Sequence, residues 1–138
     1  MTFDIYPQLT LHHLRIELRA QSTIAFGRQP GQEWRGALFN ALRRHYCPAP
    51  NAPAPGHSEA CPVCWLLARE DDQWWRGRDP VRPYTIAPPP TGTGPTKYRA
   101  GDTFSFGITL VGPAIHLFPF IVLALPEMGH IGVGGRLP

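Results

Sequence analysis

A chain of 138 residues, 43% of them hydrophobic, has the length of one domain and enough apolar content for a single compact core. Its 17 prolines exclude uninterrupted regular structure, so long loops are expected. The formal charge is only +3, yet of 13 cationic residues all but Lys97 are arginine. Guanidinium groups bind phosphate bidentately and stack on bases, so this bias fits a nucleic-acid partner; it fits a GC-rich coding sequence as well. Residues 1–7 carry neither a basic region nor an apolar run, which reads against a secretory leader and makes the cytoplasm the expected location. The longest apolar run, Leu117 to Leu125, is shorter than the roughly 20 residues that cross a bilayer, and no membrane partner is expected.

The first predicted element is a half-buried strand over Leu9 to Arg19, with Leu14, Ile16 and Leu18 on one face and His13, Arg15, Glu17 and Arg19 on the other. Ala20 to Pro30 reads as a connection. A helix over Gly31 to Cys47 follows, because Trp34, Ala37, Leu38, Ala41 and Leu42 recur at the spacing of one helical face, with His45 extending the stripe. Cys47 to Ala60 is a Pro/Ala stretch that needs a tie to be ordered, and Cys61 to Glu70 contains a short helix. Tyr84 to Ala87 is a short strand. Asp102 to Val111 is the clearest one, with Phe104, Phe106, Ile108 and Leu110 facing one way. Ala114 to Met128 reads as a helix apolar almost all round, and Gly129 to Pro138 as a glycine-rich loop. Strand, helix, strand, strand, helix is a ferredoxin-like (RRM-like) α+β order, βαββα(β), lacking its last strand. In the usual sheet order, 4-1-3-2, the missing strand would lie beside the first and leave its edge unpaired.

Cys47, His57, Cys61 and Cys64 give the spacing C-x9-H-x3-C-x2-C. Three thiolates and an imidazole make a closed tetrahedral structural zinc site that would hold the Pro/Ala loop; His45 is the alternative fourth ligand, and buried thiols without metal the alternative to both. Arg35, Arg43, Arg44, Arg76, Arg78 and Arg82, interleaved with Trp74, Trp75 and Tyr84, form a candidate RNA-facing set of phosphate-binding cations and stacking rings, or else a solvated basic surface. His130, Gly132 and Gly134 lie where backbone amides of the glycine loop could meet a phosphate, or make a tight turn.

The segments WRGALFNALRRHYC, CPVC, RPYTIAPPP, GDTFSFGITLVG, AIHLFPFIVLALPEMG and GHIGVGG stand in an order that resembles the amino-terminal half of the CRISPR precursor-RNA processing endoribonucleases of the RAMP superfamily. The resemblance runs from about Leu9 to Gly135 and implies a single RAMP domain over residues 1–138, with a Cys/Pro-rich insertion at 47–64. It implies recognition of CRISPR repeat RNA and metal-independent cleavage, in which a 2′-hydroxyl attacks the adjacent phosphate. By position His45 would be the catalytic histidine, with no cofactor for catalysis. Phe39 and Asn40 stand where relatives often carry Tyr and His. The resemblance also implies a non-catalytic alternative, an RNA-binding or assembly subunit completed by other CRISPR subunits or by a second copy.

Overall fold

The computed structural model describes residues 9–48, 57–67, 82–90 and 96–133. Strand β1 (Leu11–Arg19) alternates between exposed and half-buried residues along its whole length. It pairs antiparallel with β5 (Thr103–Val111), placing Leu14, Ile16 and Leu18 opposite Ile108, Phe106 and Phe104. Because side chains alternate across a strand, this register puts Leu14, Ile16 and Leu18 on the same face as Phe104, Phe106, Ile108 and Leu110, while Leu11 and Val111 pair on the other. Strand β3 (Tyr84–Ala87) pairs antiparallel with the other side of β5, giving a three-stranded sheet in the order β1-β5-β3. That is the 1-3-2 portion of the expected ferredoxin-like sheet. Among the described residues, β1 stands at its edge.

One pair of strands was not expected. Ile24–Phe26 (β2), in the segment read as a connection, pairs with Thr96–Tyr98 (β4) as a separate two-stranded ribbon. Its rings join the core: Phe26 stacks on Trp34 with centroids 5.4 Å apart, and Tyr98 stacks on Phe104 at 4.4 Å.

Helix α1 (Pro30–Tyr46) begins at a proline, whose fixed φ and missing N–H suit a first helical position. It buries Trp34, Ala37, Leu38, Ala41 and Leu42, the stripe its spacing predicts. Trp34 packs on Phe106 at 4.2 Å between ring centroids. His45 is a correction to the stripe. The last turn rotates it out of the core, where its side chain is 38% exposed.

The second long helical stretch starts as a 3₁₀ segment, Gly112–Leu117, and continues as α4 (Phe118–Ile131), which packs on α1. Pro119 sits in the first turn, and Pro126 lies inside the helix rather than near its end. Gly129 and His130 are helical, so the glycine-rich segment begins later than expected. Gly132 closes α4 at φ +92° and ψ 145°, a conformation that only glycine adopts without strain. Gly112–Ile131 spans 20 residues and includes an 18-residue window of mean hydropathy 1.5, long and apolar enough to cross a membrane by composition. Here Ala114, Leu117, Ile121, Ala124 and Met128 are buried in the same cluster as the inner residues of α1 and β5. The opposite side is bare, with Val122 43% and Leu123 59% exposed.

Candidate metal centre

Between α1 and β3 lie two short helices, α2 (His57–Ala60) and α3 (Pro62–Leu67). They are joined by backbone hydrogen bonds from Cys61 N–H to the His57 carbonyl (2.8 Å) and from Trp65 N–H to the Cys61 carbonyl (2.8 Å). Val63, Leu66 and Leu67 are buried, so α3 belongs to the core. Helical spacing turns Cys61 and Cys64 to one side. Cys47, the residue after α1, meets them from the other.

Cys47 Sγ lies 3.2 Å from His57 Nε2 and 3.6 Å from Cys64 Sγ. The donor atoms of Cys47, His57, Cys61 and Cys64 all lie within 4.8 Å of one another, a group that can hold a metal ion. The three cysteines are buried free thiols, and His57 is half-buried. A separation of 3.6 Å is far beyond the roughly 2.05 Å of a disulfide. Burial, reinforced by the hydrogen bond with Cys47 and by charge repulsion from its neighbours, pushes the Cys64 thiol up to about 12. The three groups therefore pack as neutral thiols, and only a bound cation would stabilise them as thiolates.

The geometry selects His57 as the imidazole of the group. His45 points elsewhere: its Nε2 lies 3.1 Å from Glu127 Oε2 of α4, tying the ends of the two long helices together. That pair was not legible in the sequence, since 82 residues separate its members and the helix crossing alone brings them together.

The candidate RNA-facing residues divide. Arg35 and Arg44 are exposed on α1, whereas Arg43 is half-buried, its guanidinium carbon 5.3 Å from the Phe39 ring centroid. Arg82 is half-buried beside Tyr84. Tyr84 itself is a core residue, 7% exposed, so its ring is not available to stack on a base. Burial pushes its hydroxyl up, against the opposing pull of the Arg82 and Arg35 charges. His130 is exposed at the end of α4, and Gly132 caps that helix. Arg76, Arg78, Trp74, Trp75 and Gly134 lie outside the described residues.

Raising the pH tests the thiol environment directly. In metal-free protein the Cys64 thiol keeps its proton up to about 12 when folded, while the unfolded thiol ionises near its ordinary value of 9.0. The folded state then binds more protons, so its stability is complete below pH 9.0 and falls as the pH rises toward about 12. Melting temperatures of metal-free protein across that range check this; a flat profile would contradict the buried thiol.

A family model described as an N-terminal domain matches residues 9–137. No curated protein matches the chain. No solved structure matches it either.

Proposed function

We propose that the chain, which belongs to the AF_1859_N family, an N-terminal domain by description, is on the strength of its motif resemblance the RNA-holding amino-terminal domain of a CRISPR RNA-processing protein of the RAMP type, working in the cytoplasm. The observation that carries the reading is the helix α1. It presents Arg35, Arg44 and His45 to solvent, and His45 stands where the motif resemblance puts a catalytic histidine. The exposed guanidinium groups would take backbone phosphates, and His130 and the Gly132 cap would approach from the end of α4. Repeat RNA is the partner proposed, with other subunits of a CRISPR complex completing the groove.

Cleavage would use His45. With Glu127 accepting a hydrogen bond from Nε2, the imidazole is held in one tautomer and Nδ1 is left as the proton acceptor for a 2′-hydroxyl. A binding-only role is the second reading. It is favoured by Phe39 and Asn40, neither of which brings a second proton-transfer group to the same helix.

We assign structural zinc to the Cys47, His57, Cys61 and Cys64 group. With Zn–S bonds of about 2.3 Å, a tetrahedral site separates two thiolates by about 3.8 Å, close to the 3.6 Å between Cys47 and Cys64. Metal here would dock α2 and α3 on α1, and the RNA chemistry would not pass through it.

Labelled repeat RNA incubated with zinc-loaded protein, without Mg²⁺ and without chelator, tests both readings. The expected products end in a cyclic phosphate, and His45→Ala slows their formation by about 100-fold or more while binding persists. Arg35→Ala and Arg44→Ala each reduce the salt dependence of binding by about 0.7 in log–log slope. Tight binding without products supports the binding module. No binding at any salt concentration rejects the RNA reading altogether.

A further inference from the structure

A cavity of about 210 Å³ lies against the metal centre. Its walls include Tyr46 at the end of α1, Phe120 of α4, and His57, Ala60, Cys61 and Val63 of α2, α3 and their junction. A water molecule's share of liquid volume is about 30 Å³, so the cavity has room for a molecule of a few heavy atoms. Cys61 lines it, whereas Cys47 and Cys64 are buried and do not.

The three sulfurs are also close enough to react with one another. Cys64 Sγ lies 3.6 Å from Cys47 Sγ and shares a second hydrogen bond with Cys61. Cys47 is engaged from its other side by His57 Nε2 at 3.2 Å. A small electrophile entering the cavity therefore meets Cys61 first, and Cys64, three residues on, is the sulfur placed to attack it next. Zinc would hold all three sulfurs as thiolates, the nucleophilic form.

We propose that the metal centre is a redox switch, in which a hydroperoxide entering this cavity converts Cys61 and Cys64 to a disulfide and zinc leaves. The proposal rests on the zinc assignment above. The Cys61 thiolate attacks one peroxide oxygen; the O–O bond breaks, giving a sulfenic acid and, from hydrogen peroxide, hydroxide. The Cys64 thiolate then attacks the Cys61 sulfur; the S–S bond forms, the S–O bond breaks and a second hydroxide leaves. Two protons from solvent convert both hydroxides to water. The peroxide gains two electrons and each sulfur gives up one. Cys47 and His57 remain, and two donors do not make a closed four-ligand site. Helix α3 stays anchored by Val63, Leu66 and Leu67, which are buried in the core. Helix α2 loses its tie to the end of α1, where His45 stands. A dithiol reduces the disulfide and restores the four donors.

The test is to treat the zinc-loaded full chain with hydrogen peroxide while a chromogenic chelator reports free zinc. Release of one zinc per chain is expected, together with loss of two of the three free thiols. Peptide mass mapping should find Cys61 joined to Cys64, and dithiothreitol should restore both thiols and metal binding. Ala60→Phe narrows the cavity from an exposed position without touching a donor. It should leave zinc content unchanged and slow release about five-fold or more, with circular dichroism verifying the fold. A reduced chain that holds no zinc rejects the zinc assignment, and the switch with it. A chain that holds zinc and keeps it under peroxide rejects the switch alone. A disulfide between Cys47 and Cys64, or release as fast in Ala60→Phe as in the parent, also overturns the proposal, because the oxidant would not then enter at Cys61.

Discussion

Zinc-loaded protein should melt about 10 °C above the metal-free form when free zinc is held 1,000-fold above its dissociation constant. Binding to the folded state alone contributes about 4 kcal/mol under that condition, and a domain of this size gains about 3 °C per kcal/mol. The effect is large because the four donors sit on separate pieces of chain. Cys47 follows α1, while His57, Cys61 and Cys64 belong to α2, α3 and the residue between them. Without the ion, three buried thiols and a half-buried imidazole must be accommodated by weak hydrogen bonds such as the 3.6 Å Cys47–Cys64 contact. Cys64→Ser should abolish stoichiometric metal in elemental analysis and remove the zinc-dependent gain in melting temperature. His45→Ala should leave metal content untouched, since that imidazole is held by Glu127. One zinc retained in Cys64→Ser, or equal melting of loaded and stripped protein, would reject the metal centre.

Trp34→Ala should be the most destabilising single change in the core, by about 3 to 5 kcal/mol, a large share of what a domain of this size has in reserve. Trp34 is 1% exposed and contacts three rings from two elements: Phe26 of β2 at 5.4 Å, and Phe104 and Phe106 of β5 at 5.9 and 4.2 Å. Removing it opens a cavity between helix, sheet and ribbon together. Trp34→Phe should behave differently. The indole Nε1 is buried with no hydrogen-bond partner among the described residues, so losing it relieves an unmet polar group and offsets part of the lost contact. Chemical denaturation of the two variants checks the contrast. Comparable losses in both would mean that the indole N–H contributes favourably.

The regular elements that were legible in advance are those with one face in water and one in the core. In β1 and β5 the apolar residues alternate, and in α1 they recur every three or four positions, because burial imposes the period of the backbone on the side chains. The ribbon of β2 and β4 was not legible. Each strand has three residues, too few to establish a period, and each is defined only by pairing with a partner about 70 positions away. The length of α4 was legible to within a few residues, but not its sidedness, since apolar residues all round a helix do not say which of them the sheet will cover.

The metal centre divides in the same way. Spacing alone named Cys47, Cys61 and Cys64 and left two histidines competing for the fourth place. Tertiary structure decided between them. His45 is two positions from Cys47 in the chain, yet the last turn of α1 carries it to Glu127, while His57, ten positions away, returns to 3.2 Å from the Cys47 sulfur. By itself the sequence determined the α+β order, the apolar faces and the set of donor residues, because these follow from local periodicity and composition. Only the tertiary structure decided which donors meet and which ring is core, because both depend on distances between segments that no local pattern encodes.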